Sequence, residues 1–191
     1  MSNLKDLVLR SRSCRRFFEN EPVSREVLME LIDLARLSPS ARNAQTIKYI
    51  ISNTPEKNQL IFPHLAWAGY LKDWDGPEKG ERPPAYLMML SDTRISDNYF
   101  CDEGIAAQSI LLGATEKGLA GCIVGSIERL KLQKDLKIPK HFKIIQVVAL
   151  GKPKEKVVIE TSKDGDIKYY RDENGIHYVP KRPLDELILE L

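Results

Sequence analysis

The spacing of apolar positions changes several times along the chain, and each change marks an element. Asn3–Leu9 reads as a short helix. Ser24 is placed to cap a second helix in which Val27, Leu28, Leu31, Ile32, Leu34 and Ala35 recur at helical spacing. Pro39 ends that helix, because it pushes Ser38 out of the helical region and has no N–H of its own. Ile47–Ser52 has strand character, and Ala85–Ser91 (AYLMMLS) has the unbroken apolar pattern of a buried strand. Tyr99–Lys117 is apolar around most of its circumference, which predicts a central helix buried on several sides, ended by Gly118. A very short strand is expected at Cys122–Val124, between Gly121 and Gly125. An amphipathic helix follows at Ile127–Leu136. The clearest strand is Lys143–Leu150, closed by Gly151-Lys152-Pro153.

Beyond Pro153 the pattern shortens. Val157–Glu160, Asp166–Arg171 and Ile176–Val179 look like small strands, and Asn174-Gly175 is a hairpin signal. A last helix is expected at Leu184–Leu191. One long irregular stretch, Pro63–Pro84, carries Trp67, Tyr70, Lys72 and Trp74; loops of that length are often lids, so these aromatics are candidates to stack on a ligand. The alternative for them is plain packing of a long loop. The elements lack regular βαβ alternation, so the fold class is α+β, in one domain over residues 1–191. The stretch from about 153 to 191 would be hard to bury on one copy, and is expected to be an arm that reaches a partner subunit.

Composition narrows the class without choosing a function. In 191 residues, 29 Lys plus Arg face 27 Asp plus Glu, for a formal net charge of +2. That balance argues against a general nucleic-acid binder. Three cysteines without a CxxC pair point away from a disulfide-stapled module. The N-terminal stretch turns basic after a short apolar run, the reverse of a signal peptide, and no apolar run approaches membrane-spanning length. A cytoplasmic protein with no membrane partner is the expectation.

Several chemistries lack their residues. There is no GxGxxG after a strand, no phosphate-binding GxxxxGK, no GxSxG elbow, and no set of His and Cys at metal-ligand spacing. Two polar segments remain. In Arg12-Ser13-Cys14-Arg15-Arg16-Phe17, guanidinium forks beside a hydroxyl suit a phosphate. The competing reading is a solvated basic face, or ion pairs to Glu19 and Glu21. In Ser38-Pro39-Ser40-Ala41-Arg42-Asn43-Ala44-Gln45, short donors and acceptors between a helix and a strand suit the edge of a heteroaromatic ring, although ordinary turn chemistry uses the same residues.

These two segments, in this order, resemble the FMN-dependent nitroreductase family of flavin reductases. That family opens with a basic–serine–arginine–aromatic motif, matched by Arg12-Ser13-Cys14-Arg15-Arg16-Phe17. Its next helix ends in APSxxNxQPW, here Ser38 to Ile47, with Thr46-Ile47 in place of Pro-Trp and an added charge at Arg42. A DxGxAxQ helix is matched by Asp102 to Gln108, continuing through Leu112 and Ala114. A GLxxC segment is matched by Gly118 to Cys122, a VxLGxP strand end by Val148 to Pro153, and a late arginine by Arg182. The matches span roughly residues 10 to 185. Two further departures are Ser11, where an arginine is commonly doubled, and Ile123, where many members carry tryptophan.

The resemblance implies a three-layer α/β/α sandwich with a mixed, mostly antiparallel sheet, forming an intertwined homodimer with tightly bound FMN at the subunit interface. By that resemblance Arg12, Ser13 and Arg15 hold the phosphate and ribityl chain, joined at the phosphate by Arg182. Pro39, Ser40, Asn43 and Gln45 contact the flavin from the partner subunit, and Ile123, Val124 and Gly125 present backbone to the ring. The implied activity passes hydride from NADH or NADPH to a nitroaromatic, quinone or similar small acceptor, with no side-chain acid, base or metal required. Rival readings are a reductive dehalogenase or flavin-degrading enzyme on the same scaffold, or a flavin-binding protein without catalysis.

Overall fold

The segment Ala85–Asp92 (β2) is buried at every position, and its side chains divide by parity. Ala85, Leu87 and Met89 enter one apolar cluster; Tyr86, Met88 and Leu90 enter another. A strand apolar on both faces has to lie between two other layers. The computed structural model, which describes residues 3–190, shows those layers. One cluster packs β2 and Phe142–Gly151 (β4) against Arg25–Leu37 (α2) and Asp102–Glu116 (α4). The other packs the opposite face against Pro55–Ile61 (α3), Leu65, Trp67 and Arg129–Asp135 (α5).

Ile47–Ser52 (β1) and Ala120–Val124 (β3) complete an antiparallel sheet in the order β1-β2-β4-β3. Layers and antiparallel pairing agree with the expected α+β sandwich. Leu4–Arg10 (α1) begins the described chain, capped by Asn3, and Ser24 caps α2 through the Val27 N–H. Helices α2 and α4 approach closely because Gly113 has no side chain: a Cβ there would stand 2.3 Å from Leu34 Cδ1.

Three sequence expectations change. The helix α3 is new; Thr54 accepts from the Lys57 N–H and Pro55 occupies the first turn, a start signal that was present in the sequence. The expected helix at Leu184–Leu191 is only a 3₁₀ turn, Asp185–Leu187 (Leu191 lies outside the described residues). With Leu184, Leu187, Ile188 and Leu189 all exposed, no packing compensates the cost of nucleating so short a helix.

The stretch after Pro153, expected to be hard to bury on one copy, forms a sheet against its own chain as far as Lys181. Val157–Thr161 (β5), Tyr170–Arg171 (β6) and His177–Lys181 (β7) form a second sheet in the order β5-β7-β6, with β5 and β7 parallel. The Asn174-Gly175 turn joins β6 to β7 as the hairpin signal predicts, with Gly175 at φ +75°. This sheet is held down by Tyr169 against Tyr70, ring centroids 4.9 Å apart, and by Arg171 over Trp74 at 4.2 Å.

Candidate functional site

The basic segment runs alongside β3. Ser13 bridges Gly121 in parallel, the Cys14 N–H donates to Gly121 O at 3.0 Å, and buried Phe17 bridges Pro153. Glycine is required at position 121, since a Cβ would meet Ala149 O at 2.7 Å. Cys14 faces inward, where burial pushes its thiol up to about 12; it is a packing residue.

The four arginines divide into two kinds. Arg10 pairs with Asp6 at 2.9 Å, and Arg16 binds Glu81 with Nη2 2.6 Å from Oε1. Glu81 thus takes the place of the expected partners Glu19 and Glu21. Arg12 and Arg15 have no carboxylate within ion-pair reach among the described residues. Arg12 donates from Nη2 to Val8 O at 2.7 Å, its Nε is buried without a partner, and burial lowers its pKa. Arg15 lies 5.0 Å over the Tyr169 ring and donates to the Ser13 carbonyl at 3.4 Å. Two uncompensated guanidinium groups, one partly buried, form a place for an anion.

Beneath them lies a residue that sequence reasoning missed. The Glu155 side chain has no exposed surface; it accepts the N–H of Arg15 and of Arg16, the latter at 3.3 Å, and Arg171 Nη2 at 2.9 Å. Lys154-Glu155-Lys156 reads as a solvated charge run, so no local pattern announces this role. Arg12, Cys14, Thr115 and Glu155 line a shallow cavity of about 230 Å³.

At the other end of β3, Ile123 is exposed, Val124 is buried, and Gly125 has open space where a Cβ would stand. Arg129 braces this end by donating to Gly125 O at 2.9 Å and Ile145 O at 2.8 Å.

The loop after α2 is built around a buried carboxylate. Asp102 accepts Ser40 Oγ at 2.6 Å and the Ala41 N–H at 2.9 Å, and Ser40 Oγ in turn accepts the Gln45 N–H at 2.9 Å. The Ser40 hydroxyl is therefore committed to holding the loop. Arg42, Asn43 and Gln45 all have positive φ, between 51° and 54°, leaving the Asn43 and Gln45 side chains exposed and bonded to each other at 3.2 Å. Pro39, Ser40, Gln45, Tyr49 and Asp102 line a cavity of about 330 Å³.

The two predicted halves do not meet within one chain. Ser13 is tied to Gly121 on edge strand β3, at the end of the sheet where Leu150 pairs with Ala85. The loop enters β1 on the opposite edge, at the end where Ile47 pairs with Ser91. Three strand spacings of about 4.8 Å and six residues of about 3.4 Å separate them. Arg182 lies past β7 and pairs with Glu186 at 3.1 Å. Of the aromatics in the irregular stretch, Trp67 is buried against Gly76, and Tyr70 and Trp74 clamp the small sheet. The stretch is fastened at all three.

Comparison with known proteins supplies the family. The family model described as "Nitroreductase family" matches residues 9–152, from the basic segment to the end of β4. The chain belongs to the nitroreductase family. It is 27% identical over 185 residues to the oxygen-insensitive NADPH nitroreductase of Helicobacter acinonychis (strain Sheeba), covering 78% of this chain and 86% of that one. Among solved structures it resembles a nitroreductase family protein of Clostridium difficile 630, with TM-score 0.68 and 19% identity over 98% of each chain. It also resembles an FMN-dependent nitroreductase of Clostridium difficile R20291, with TM-score 0.64 and 22% identity over 88% of this chain and 98% of that one. The structural likenesses establish the nitroreductase fold. The family match ends at Lys152, so the small sheet and tail lie outside it. No helix among the described residues is long and apolar enough to cross a membrane.

Proposed function

We propose that this chain is an FMN-dependent oxidoreductase of the nitroreductase family, working as a homodimer that reduces small electron-poor acceptors with NADH or NADPH. The observation that carries the reading is the pair Arg12 and Arg15, left without carboxylates while Arg10 and Arg16 have theirs. Their chemistry fits a phosphate: forked donors without ion-pair partners, on a backbone fixed by Glu155, whose own charge is answered by Arg171. Open space at Gly125 fits the close approach of a flat ring to the edge strand.

Arg12, Ser13 and Arg15 hold the phosphate and ribityl chain, and Arg182 joins them at the phosphate. The backbone of Ile123, Val124 and Gly125 faces the ring. Pro39, Ser40, Asn43 and Gln45 complete the site from the partner subunit, because one ligand reaches both halves only if a second copy supplies the loop. Exposed Leu4, Leu9, Met29 and Leu37 on α1 and α2, with the apolar tail after Arg182, are surface for that second copy. Tyr70 is the half-exposed aromatic best placed to meet an acceptor, while Trp67 and Trp74 support the wall behind it.

When bound, FMN supplies the two-electron centre, its N5, through which hydride passes from nicotinamide to a nitroaromatic or quinone. The protein would orient both partners in turn in one pocket and needs no side-chain acid or base. The two partners use the pocket alternately, a ping-pong scheme. We place the protein in the cytoplasm, where NADH and NADPH are supplied.

The deciding measurement is the visible spectrum of the purified protein under nitrogen. The expected result is a flavin spectrum that NADH or NADPH bleaches and a nitroaromatic restores. Protein that neither carries nor takes up FMN would overturn the reading, as would bound flavin that neither nucleotide bleaches. Sedimentation tests the dimer; a flavin-bound monomer would remove the partner-supplied loop.

A further inference from the structure

A separate cavity of about 460 Å³ opens between α3, residues 19–22 and residues 79–86. It lies at the C-terminal end of β1, where Ser52 pairs with Tyr86, and neither Arg12 nor Arg15 lines it. It does not include the loop at the other end of β1 and belongs to neither half of the flavin site.

Two of its lining groups have polarity that the protein does not answer. Tyr86 is completely buried, and its hydroxyl has no hydrogen-bond partner among the described residues. Burial, seconded by Glu19, raises its pKa, so the hydroxyl remains a neutral donor. Arg82 lies flat on Phe62, its guanidinium carbon 4.2 Å from the ring centroid, and its Nε is buried and unpartnered. No carboxylate neutralises Arg82 among the described residues. Such groups are costly to leave unpaired, and an acceptor reaching them would relieve both.

The rest of the lining narrows the ligand. Glu19 accepts the Gly80 N–H and keeps its negative charge near Tyr86, while Lys79 adds an exposed positive charge. Two cations against one carboxylate leave a single positive charge, which suits a monoanion better than a phosphate dianion. Pro22, Pro83, Pro84 and Phe62 supply flat apolar wall. A volume in the lower half of the ordinary range for small-molecule sites admits one ring with substituents.

We infer that this cavity binds a small aromatic carboxylate, the carboxylate meeting Arg82 and Tyr86 Oη and the ring lying against the prolines and Phe62. This inference stands on the cavity alone and does not depend on the flavin reading.

The test is calorimetric titration of benzoate into the purified protein with whatever cofactor it carries. The expected result is saturable binding, one per chain, weakened about tenfold or more in Arg82→Gln and about three- to tenfold in Tyr86→Phe. Lys131→Ala, which removes an exposed cation outside the cavity, should bind benzoate as the wild type does. Tyr86→Phe also guards against a folding artefact: losing an unpartnered hydroxyl should leave its thermal midpoint unchanged or raised while benzoate affinity falls. Absence of saturable binding would overturn the inference. So would wild-type affinity in both cavity variants, loss of binding in Lys131→Ala, or inorganic phosphate binding as tightly as benzoate.

Discussion

Arg171 donates from Nη2 to Glu155 Oε2 across 2.9 Å, joining the small sheet to the basic segment through a carboxylate with no exposed surface. The same carboxylate holds the backbone N–H groups of Arg15 and Arg16. Removing the cation leaves a buried charge half answered. Arg171→Ala should therefore cost about 3 kcal/mol or more of stability, read from urea unfolding, because breaking one partner of a buried pair strands the other. Loss of less than about 1 kcal/mol would show that the small sheet is not anchored there.

His177 sits in the same cluster, completely buried, with both ring nitrogens unpartnered and its ring 5.3 Å from that of Tyr169. Burial pushes its pKa down to about 4; Arg15 and Arg171 add to the effect and Glu155 opposes it. The unfolded chain then binds a proton below pH 6.5 that the folded chain refuses. Stability attributable to this residue is full above pH 6.5 and falls toward pH 4, by up to about 1.4 kcal/mol per pH unit. The difference between wild type and His177→Gln, followed by urea unfolding at pH 7, 6 and 5, should shrink as the pH falls. A constant difference would show that His177 titrates normally.

Gly76 has φ +126°, and a Cβ there would stand 2.5 Å from Trp67 Cδ1. Gly76→Ala should lose about 2 kcal/mol or more, from overpacking together with a backbone conformation that alanine avoids. Tryptophan emission should shift to the red as Trp67 is displaced. Unchanged stability and emission would mean that the stretch around Trp67 yields freely, as a lid would.

Arg12→Ala should weaken FMN retention about ten- to hundredfold, the loss expected for charge-assisted contacts to a phosphate. Arg182→Ala should weaken it in the same direction. Arg16→Ala should have the smaller effect on flavin, since Glu81 already neutralises Arg16. FMN released on dialysis, measured by its fluorescence, orders the three variants. Retention unaltered in Arg12→Ala and Arg182→Ala would withdraw both from the phosphate.

Helices α2, α4 and α5 and the main strands were legible because their signals are local. The Ser24 cap, the Pro39 stop, the apolar runs of β2 and β4 and the Asn174-Gly175 turn each act within a few residues. The chemistry of the basic segment was half legible. Residue types pointed to an anion, but only packing shows that Glu81 answers Arg16 while Arg12 and Arg15 stay unanswered. The loop was legible as polar, yet which of its polar groups are already spent depends on Asp102, far along the chain. Trp67, Tyr70 and Trp74 looked alike in sequence; one fills the core and two clamp the small sheet.

By itself the sequence determined the four strands of the main sheet, the helices α2, α4 and α5, the class of fold and, through ordered motifs, the family. Periodicity, caps and turn residues act over short range, so one segment suffices to read them. Tertiary structure alone decided that the two polar segments lie on opposite edges of one sheet, that residues 157–181 close back on their own chain, and that Glu155 is buried beneath the arginines. Those outcomes depend on which distant surfaces exclude water together and which buried charges find partners, quantities that no single segment contains.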